Sequence, residues 1–233
     1  SHELRTPLHG ILSYSRFGLR EAMTADREEL HEDFRNIEES GNGLLTLLND
    51  LLDLAKFEAG RMKFDFAEVS VEEVVADAVN EFATVFDDGA LQVEVRAEGQ
   101  LVPIVADRRK VLQVLRNLLS NAAKCSRSGG TVTIRLETSD GLARVVVDDE
   151  GMGIPDDEIE LIFDKFAQAS NARAKTGGTG LGLAICREII EGHEGRIWAE
   201  NRTEGGTRMR FQLPVEGPLA AREPGEEEEI LDL

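Results

Sequence analysis

The motif Ser-His-Glu-Leu-Arg-Thr-Pro opens the chain and places His2 beside a carboxylate, about one helical turn before Pro7. An exposed imidazole is a nucleophile that can accept a phosphoryl group. Taken alone, the motif is more typical of an ordinary surface histidine at the start of a helix. The phosphoryl-transfer hypothesis therefore depends on whether the chain also carries a nucleotide site and helices that present His2.

A second motif places two carboxamides and an ammonium on one face of a predicted helix. Its residues are Asn117, Asn121 and Lys124, at spacings of four and three. Such a face suits a hydrated Mg²⁺ ion and phosphates, because Mg²⁺ prefers oxygen ligands and keeps part of its water. The alternative is a set of polar side chains on a solvated helix face.

Glycine-rich segments follow further along the chain. Asp149 ends a predicted strand and precedes Gly151 and Gly153, so its carboxylate could accept from an exocyclic amine while backbone approaches a ring; an ordinary turn is the alternative. The segment Gly177–Gly182 leads into a helix whose first N–H groups can bind phosphate. It is neither a P-loop nor a dinucleotide fingerprint, because no strand feeds directly into it. For the aromatic pair of Phe163–Phe166, the alternative is simple core packing.

In this order and spacing the motifs are highly specific, and residues 1 to about 214 closely resemble the catalytic core of a two-component sensor histidine kinase. The matching segments are residues 1–8 (phosphoacceptor box), 117–124 (N box), 149–153 (G1 box), 163–166 (F box), 178–182 (G2 box) and the closing residues 205–211. The resemblance implies a dimerisation and phosphotransfer bundle, followed by a Bergerat-type ATP-binding domain. The implied activity is autophosphorylation from ATP and Mg²⁺ and transfer to an aspartate of a response-regulator receiver domain, with phosphatase activity toward that regulator as a further option.

The resemblance also implies roles for the first motif. His2 would be the phosphoacceptor, and Glu3 would be the general base that polarises its imidazole. Thr6 lies four residues after His2 and would position water for the phosphatase reaction.

In the nucleotide site, the resemblance implies that Asn121 binds Mg²⁺, while Asn117 and Lys124 contact the metal or the phosphates. Asp149 would accept from the adenine amine, and residues 167–179 would form a mobile lid. The other predicted nucleotide-site residues are Gly151, Gly153, Phe163, Phe166, Lys175, Gly178, Thr179, Gly180, Leu181, Gly182 and Thr207, with Arg173 as a weaker candidate.

Two alternative functions differ in their chemistry. Hydrolysing relatives in the Bergerat superfamily carry a glutamate one turn before the Mg²⁺ asparagine, whereas this chain has Asn117, which cannot act as a base. This residue disfavours a gyrase-like or chaperone-like ATPase and leaves the γ-phosphate for His2. A catalytically inactive, kinase-like scaffold is disfavoured because every expected functional group is present.

The remaining histidines and the cysteines are predicted to have no catalytic role. His9 follows His2 by two turns and is predicted to be an exposed helix residue, and His31 and His193 are predicted to lie at the surface. Cys125 and Cys186 lack metal-ligand spacing and are predicted to be small core residues.

The first 61 residues are predicted to form a helical hairpin. Asp26 and Glu29 form a capping-box pattern for the second helix, which is predicted to end near Gly60. The predicted coiled-coil seam of that helix is Ile37, Gly41, Leu44, Leu48, Leu51 and Ala55, widened by Leu45, Leu47, Leu52 and Leu54. A lone hairpin cannot bury so wide a stripe, so we predict a homodimer built as an antiparallel four-helix bundle with two helices per chain.

From about residue 62 the pattern becomes that of an α/β domain. Alternating segments predict strands at 62–66, 91–95, 103–106, 131–137, 143–148, 195–201 and 207–213. Amphipathic segments predict helices at 70–85, 108–126, 156–166 and 181–191. The predicted class is α+β: the bundle, then an α/β sandwich of a mixed sheet with helices on one face. The predicted boundaries are 1–61 for the hairpin, 62–215 for the ATP-binding domain and 216–233 for an acidic, disordered tail.

Composition limits the possible partners. A net charge of −19 argues against nonspecific nucleic-acid binding, which relies on Lys and Arg to neutralise phosphates. No apolar run approaches the roughly 20 residues that span a bilayer, so this segment is predicted to make no membrane contact, although a longer protein containing it could be membrane-bound. The cysteine usage and the lack of a signal peptide indicate a cytoplasmic location, and the missing initiator Met predicts a fragment of a longer protein.

Overall fold

A computed structural model describes residues 2–21, 27–171 and 179–218, and the chain divides into two compact units, residues 1–62 and 63–233. The first unit contains helices α1 (His2–Glu21) and α2 (Arg27–Glu58), as the apolar spacing predicts. Gly10 of α1 faces Ser40 while Gly18 faces Asp33, so the two helices are antiparallel. Asp26 of the predicted capping box lies outside the described residues.

The apolar residues of the hairpin divide into a buried line and an exposed line. Leu47 and Leu54 are 2% and 5% exposed and pack within the hairpin. Leu48 of the predicted seam is 48% exposed, and Ala55 is also exposed. Within one chain the buried positions are therefore two residues that the sequence placed beside the seam, and the seam itself, which is expected to meet a second copy, stays a prediction.

The second unit is built on a five-stranded mixed sheet with the strand order β2-β4-β5-β7-β6, and a short β1–β3 pair lies beside it. Only β2 and β4 are parallel within the described sheet; its other neighbouring strands are antiparallel. In chain order the elements are β1 (Ala67–Val69), α3 (Val71–Glu81), α4 (Ala83–Asp88), β2 (Gln92–Glu98), β3 (Ile104–Ala106), α5 (Arg108–Cys125), β4 (Thr131–Ser139), β5 (Leu142–Asp148), a 3-10 turn (Leu161–Phe163), α6 (Gly182–Gly192), β6 (Arg196–Asn201) and β7 (Thr207–Pro214).

Helices cover one face of this sheet, which confirms the predicted α/β sandwich. Ile134, Val147 and Met209 occupy neighbouring positions on adjacent strands, and all three are buried. Leu118 of α5 and Ile189 of α6 are buried in the same core. The period-two alternation of the strands and the 3.6-residue period of the helices thus bury a single set of apolar side chains.

Two predicted elements are absent from the described structure. Residues 62–66 form no strand, because the rings of Phe64 and Phe66 pack against the His193 ring at 5.0 and 5.3 Å and the N–H of Asp65 donates to the Asp107 carboxylate. Residues 156–166 form turns and one 3-10 turn rather than an α-helix, and Phe166 has a φ of 64° that no right-handed helix can include. A further predicted helix, 70–85, begins at its Ser70 cap as expected but is interrupted at Phe82.

The surface prediction for His193 is also wrong, because its ring is 1% exposed. Its Nε2 accepts from the N–H of Asp107 at 3.0 Å, and its Nδ1–H donates to the carbonyl of Ile189 at 2.7 Å. Burial lowers the pKa of His193. His193 is therefore a neutral core residue that joins the end of α6 to the start of α5.

Among the described residues, no helix combines the length and apolar character that a membrane span needs.

Candidate active site

Asp149 directly follows β5 and is 5% exposed. Its Oδ1 accepts from the N–H groups of Gly151 and Thr207, at 2.8 and 3.1 Å. Its Oδ2 accepts no hydrogen bond from the residues that the structure describes. Burial raises the pKa of the Asp149 carboxyl, although the two N–H donors and the charge of Arg202 act in the opposite direction. The backbone therefore fixes one oxygen and leaves the other for a donor on a ligand.

The turn between β6 and β7 packs directly against Asp149. Arg202 Nη1 donates to the Asp149 carbonyl at 2.6 Å. Gly206 has a φ of 93°, and a Cβ at this position would clash with the same carbonyl oxygen. Only a glycine permits this close approach.

The sequence predicted Thr207 as a site residue and placed Gly206 in a matching segment without a role, but it did not indicate Arg202. The Gly-Gly-Thr run is a local signal for Gly206, whereas Arg202 has none. The antiparallel pairing of β5 with β7 places Asp148 opposite Arg208, so the β6–β7 turn lies beside the residue after Asp148. Knowledge of that strand pairing is what would have identified Arg202.

The carboxyl-terminal half of α5 carries the predicted metal and phosphate residues. Asn117 Nδ2 donates to the carbonyl of Gly182 at 3.2 Å, which joins α5 to the first residue of α6. Asn121 is half-buried and Lys124 is exposed. In the described part of the chain, no group of three His, Cys, Asp or Glu side chains could hold a metal.

The end of α5 also adjoins the loop that carries Asp149. Ser126, just after α5, and Gly151 form an isolated antiparallel bridge. The pKa of the Cys125 thiol is raised by burial and, to a smaller extent, by the negative charge of Asp149. These contacts place the candidate adenine residue next to the helix that carries the candidate metal residue.

Backbone groups surround the start of α6. Gly180 has a φ of 68°, and a Cβ there would lie 2.6 Å from the Phe166 carbonyl carbon. Phe166 N–H donates to the Gly180 carbonyl at 2.9 Å, and Thr179 Oγ1 accepts from Leu181 N–H at 3.2 Å. No side chain of the described residues caps α6. Its first N–H groups are therefore available to an anion.

The two aromatic candidates lie in different surroundings. Phe163 is 4% exposed, and the guanidinium of Arg187 lies 4.9 Å from its ring centroid, in a cation–π contact. Phe166 is 50% exposed and adjoins Gly180 through its backbone. The structure thus brings Phe166 to the glycine segment, whereas Phe163 packs as a core residue, the alternative weighed from the sequence.

Several predicted residues fall at the margins of the described structure. Lys175, Gly178 and Arg173 lie outside the described residues. His2 and Glu3 lie in the first turn of α1, with their side chains outside the described part of the structure, and Thr6 is exposed on the same helix.

The assembled groups fit an adenine nucleotide. The Asp149 carboxylate offers one open oxygen in a buried setting, which matches an exocyclic amine. Gly153 has a φ of 71°, and a Cβ at Gly151 would lie 2.6 Å from the Cys125 carbonyl oxygen, so the loop that follows Asp149 requires glycine at both positions. The start of α6, which no described side chain caps and to which Asn117 donates a hydrogen bond, matches phosphate.

Comparison with known proteins decides the family. Residues 1–60 match the model of the His Kinase A (phospho-acceptor) domain, and residues 106–217 match that of the Histidine kinase-, DNA gyrase B-, and HSP90-like ATPase. The solved catalytic domain of histidine kinase ThkA superposes with a TM-score of 0.59 at 33% identity, covering 65% of this chain and 97% of that domain. The chain belongs to the two-component sensor histidine kinases, as a catalytic core. The predicted resemblance is confirmed.

A second histidine kinase and a longer ThkA structure extend the similarity over both units. Histidine protein kinase DivJ of Caulobacter vibrioides is 36% identical over 227 residues, which are 96% of this chain and 38% of DivJ. The ThkA structure in complex with response regulator protein TrrA has a TM-score of 0.69 at 27% identity, covering 92% of this chain and 59% of that chain. The chain spans 38% of the length of DivJ and 26% of the length of a second relative from Caulobacter vibrioides, the Non-motile and phage-resistance protein.

Proposed function

We propose that this histidine kinase core transfers the γ-phosphoryl group of ATP to His2 and then to an aspartate of a response-regulator receiver domain. The observation that carries the proposal is the Asp149 carboxylate, which has one oxygen bound by two backbone N–H groups and the other open. A phospho-acceptor match that includes His2 supports the choice of nucleophile. The chain thus carries both the nucleotide site and the acceptor that the reaction needs.

The nucleotide residues have distinct proposed roles. Asp149 accepts from the adenine amine, and Thr207 positions Asp149 through its N–H. The carboxamide oxygen of Asn121 would hold Mg²⁺, which when bound neutralises phosphate charge. Lys124 would contact phosphate. The remaining proposed binding residues are Gly151, Gly153, Phe166, Thr179, Gly180, Leu181 and Gly182, together with Lys175 and Gly178 outside the described residues.

Asn117 argues against hydrolysis as the main reaction. Its Nδ2 bonds to the Gly182 carbonyl, so its carboxamide joins the two site helices. A carboxamide is not a base, so this position cannot activate a water for attack on the γ-phosphate. The γ-phosphate is therefore left for a nucleophile supplied by the first unit.

The phosphoryl step requires His2 to lose one proton as the new N–P bond forms and the O–P bond to ADP breaks. We assign Glu3 as the base that accepts the hydrogen bond from the imidazole and stabilises its developing charge. Thr6 lies on α1, one turn from His2. Its hydroxyl is too weak a base for that step, and we assign it to orienting water in dephosphorylation of the regulator.

The hairpin is the proposed dimerisation and docking element. Leu45, Leu48 and Leu52 are 57%, 48% and 51% exposed along one side of α2. Burial of such an apolar line by a second copy is the physical reason to expect a four-helix bundle. We assign residues 1–61 to this element, 62–215 to the ATP-binding domain and 216–233 to an acidic tail, of which 219–233 lie outside the described residues.

Incubation with γ-labelled ATP tests the proposal. We expect stable label that survives alkali and is lost in acid, as a phosphoramidate is. His2→Gln should keep ADP binding and lose all label, because glutamine has no nucleophilic nitrogen, whereas the matched variant His9→Gln should label normally. ATP hydrolysis without retained label would refute the kinase assignment, and label on His2→Gln would refute the acceptor assignment.

A further inference from the structure

Arg202 opens the β6–β7 turn that packs on Asp149. Its side chain is 17% exposed, and its Nη1 donates to the Asp149 carbonyl at 2.6 Å. The turn itself is closed by two backbone bonds, from Arg202 N–H to the Gly206 carbonyl and from Gly205 N–H to the Arg202 carbonyl. A guanidinium that stays charged at every working pH is thus held against the peptide of the residue that binds adenine in our proposal.

We propose that Arg202 is a positioning residue for nucleotide recognition: its hydrogen bond fixes the Asp149 peptide, and its charge keeps the Asp149 side chain an anion that can accept the adenine amine. The inference rests on the proposed function, because it assigns to Arg202 a role that is exerted through Asp149.

The charges around Asp149 explain why a cation is needed there. The ionisable groups that interact with Asp149 are Asp148, Cys125 and Arg202. Around them, Lys124 acts on Cys125, and Glu204 lies 4.0 Å from Arg202. The pKa of Asp149 is raised first by burial and additionally by the charge of Asp148. The backbone N–H groups of Gly151 and Thr207 and the Arg202 guanidinium lower it.

The neighbouring arginines are committed to Asp148 instead. Arg208 Nε lies 2.7 Å from Asp148 Oδ1, and Arg135 Nη2 lies 3.0 Å from Asp148 Oδ2. Arg202 is the cation, among the described residues, whose charge lowers the pKa of Asp149. Removing that charge raises the pKa further, so a proton would occupy the carboxylate at a higher pH and weaken acceptance of the amine there.

Two variants test the charge of Arg202. Arg202→Gln removes the charge and, because glutamine is two atoms shorter than the Nη1 that donates, also the bond to the Asp149 carbonyl, whereas Arg202→Lys keeps the charge. Arg210→Gln is the matched control. The Nε atoms of Arg202 and Arg210 are both buried without a hydrogen-bond partner among the described residues, but Arg210 pairs with Glu200 rather than with Asp149. ADP binding to the complete chain is measured by calorimetry from about pH 5 to about pH 8, because burial raises the pKa of Asp149 and loss of a positive charge raises it further.

We expect the affinity of Arg202→Gln for ADP to come closest to that of the wild type at the upper end of the range. At the lower end its affinity should be about tenfold weaker than that of the wild type at the same pH, which corresponds to about 1.4 kcal/mol. The phosphates of ADP are ionised to the same extent for both proteins at a given pH. The ratio of the two ADP affinities at that pH therefore reports the change at Asp149. Arg202→Lys and Arg210→Gln should follow the wild-type profile.

The proposal is overturned if Arg202→Gln overlays the wild type at every pH. A reduction in affinity by one constant factor throughout overturns the role of the charge, because loss of the hydrogen bond alone has no pH dependence. Thermal melting without nucleotide shows whether each variant is folded. If Arg202→Gln does not fold, the pH profile of Arg202→Lys tests the role of the charge independently. Unchanged ADP binding by Asp149→Asn would instead refute the adenine assignment itself, so failure of the two proposals can be told apart.

Discussion

Replacement of Asp149 by asparagine changes one oxygen of a carboxylate whose two oxygens have different surroundings. In the protein, Oδ1 accepts two backbone N–H bonds of 2.8 and 3.1 Å. A carboxamide has one acceptor atom, and its oxygen must take the Oδ1 position to satisfy those two donors. The amino group of the introduced carboxamide would then occupy the open position and present a donor to the adenine amine.

The expected loss of ADP affinity follows from this replacement of an acceptor by a donor. A hydrogen bond to a charged acceptor contributes about 1.5–3 kcal/mol, and each 1.4 kcal/mol is a factor of ten in affinity. We therefore expect ADP binding to weaken by about 10- to 150-fold. The fold should persist, because burial raises the pKa of Asp149 and so already disfavours the charge that the substitution removes.

Calorimetric titration with ADP and with inosine diphosphate checks the reasoning in both directions. Inosine carries a carbonyl oxygen where adenine carries the amine, so Asp149→Asn should lose its preference for ADP over inosine diphosphate. Glu150→Gln is the control, because Glu150 Oε2 accepts from Thr131 N–H and a carboxamide oxygen can do the same. Unchanged ADP affinity, or equal losses for both nucleotides, would refute the argument.

Other positions give independent tests. Leu48→Glu should dissociate the dimer in light scattering, because an unpaired ion in an apolar interface costs several kcal/mol, while the exposed Thr46→Glu should not; an intact Leu48→Glu dimer would show that residue 48 does not face the partner. Thr6→Ala should leave autophosphorylation near normal and slow dephosphorylation of the phosphorylated regulator, and equal losses in both assays would mean that Thr6 acts through structure. Because burial lowers the pKa of His193 in the folded state, urea unfolding should show full stability above about pH 6.5 and a loss below it, where the unfolded chain takes up the proton first. His193→Gln should be less stable at neutral pH but lose less as the pH falls, and parallel profiles would contradict this.

Local patterns in the sequence were sufficient to predict those helices and strands whose structure depends on their own apolar periodicity. The period-two strands and the amphipathic helix α5 form close to their predicted bounds, because each buries an apolar face that is visible in the sequence. The two missing elements show the limit of that logic. Phe64 and Phe66 alternate as in a strand, yet their rings are held by His193, which lies more than a hundred residues further along the chain.

The sequence by itself determined the family and the chemical types at the site, because motif order and residue type are properties of the chain alone. It could not show which oxygen of Asp149 is open, that Asn117 joins α5 to α6, or that Arg202 reaches the Asp149 carbonyl. Each of these facts depends on strand pairing or helix packing between segments far apart in sequence, as with the register of β5 on β7. Hydrogen-bond direction and burial are set by such contacts, and so only the tertiary structure decided which of the candidate residues can act together.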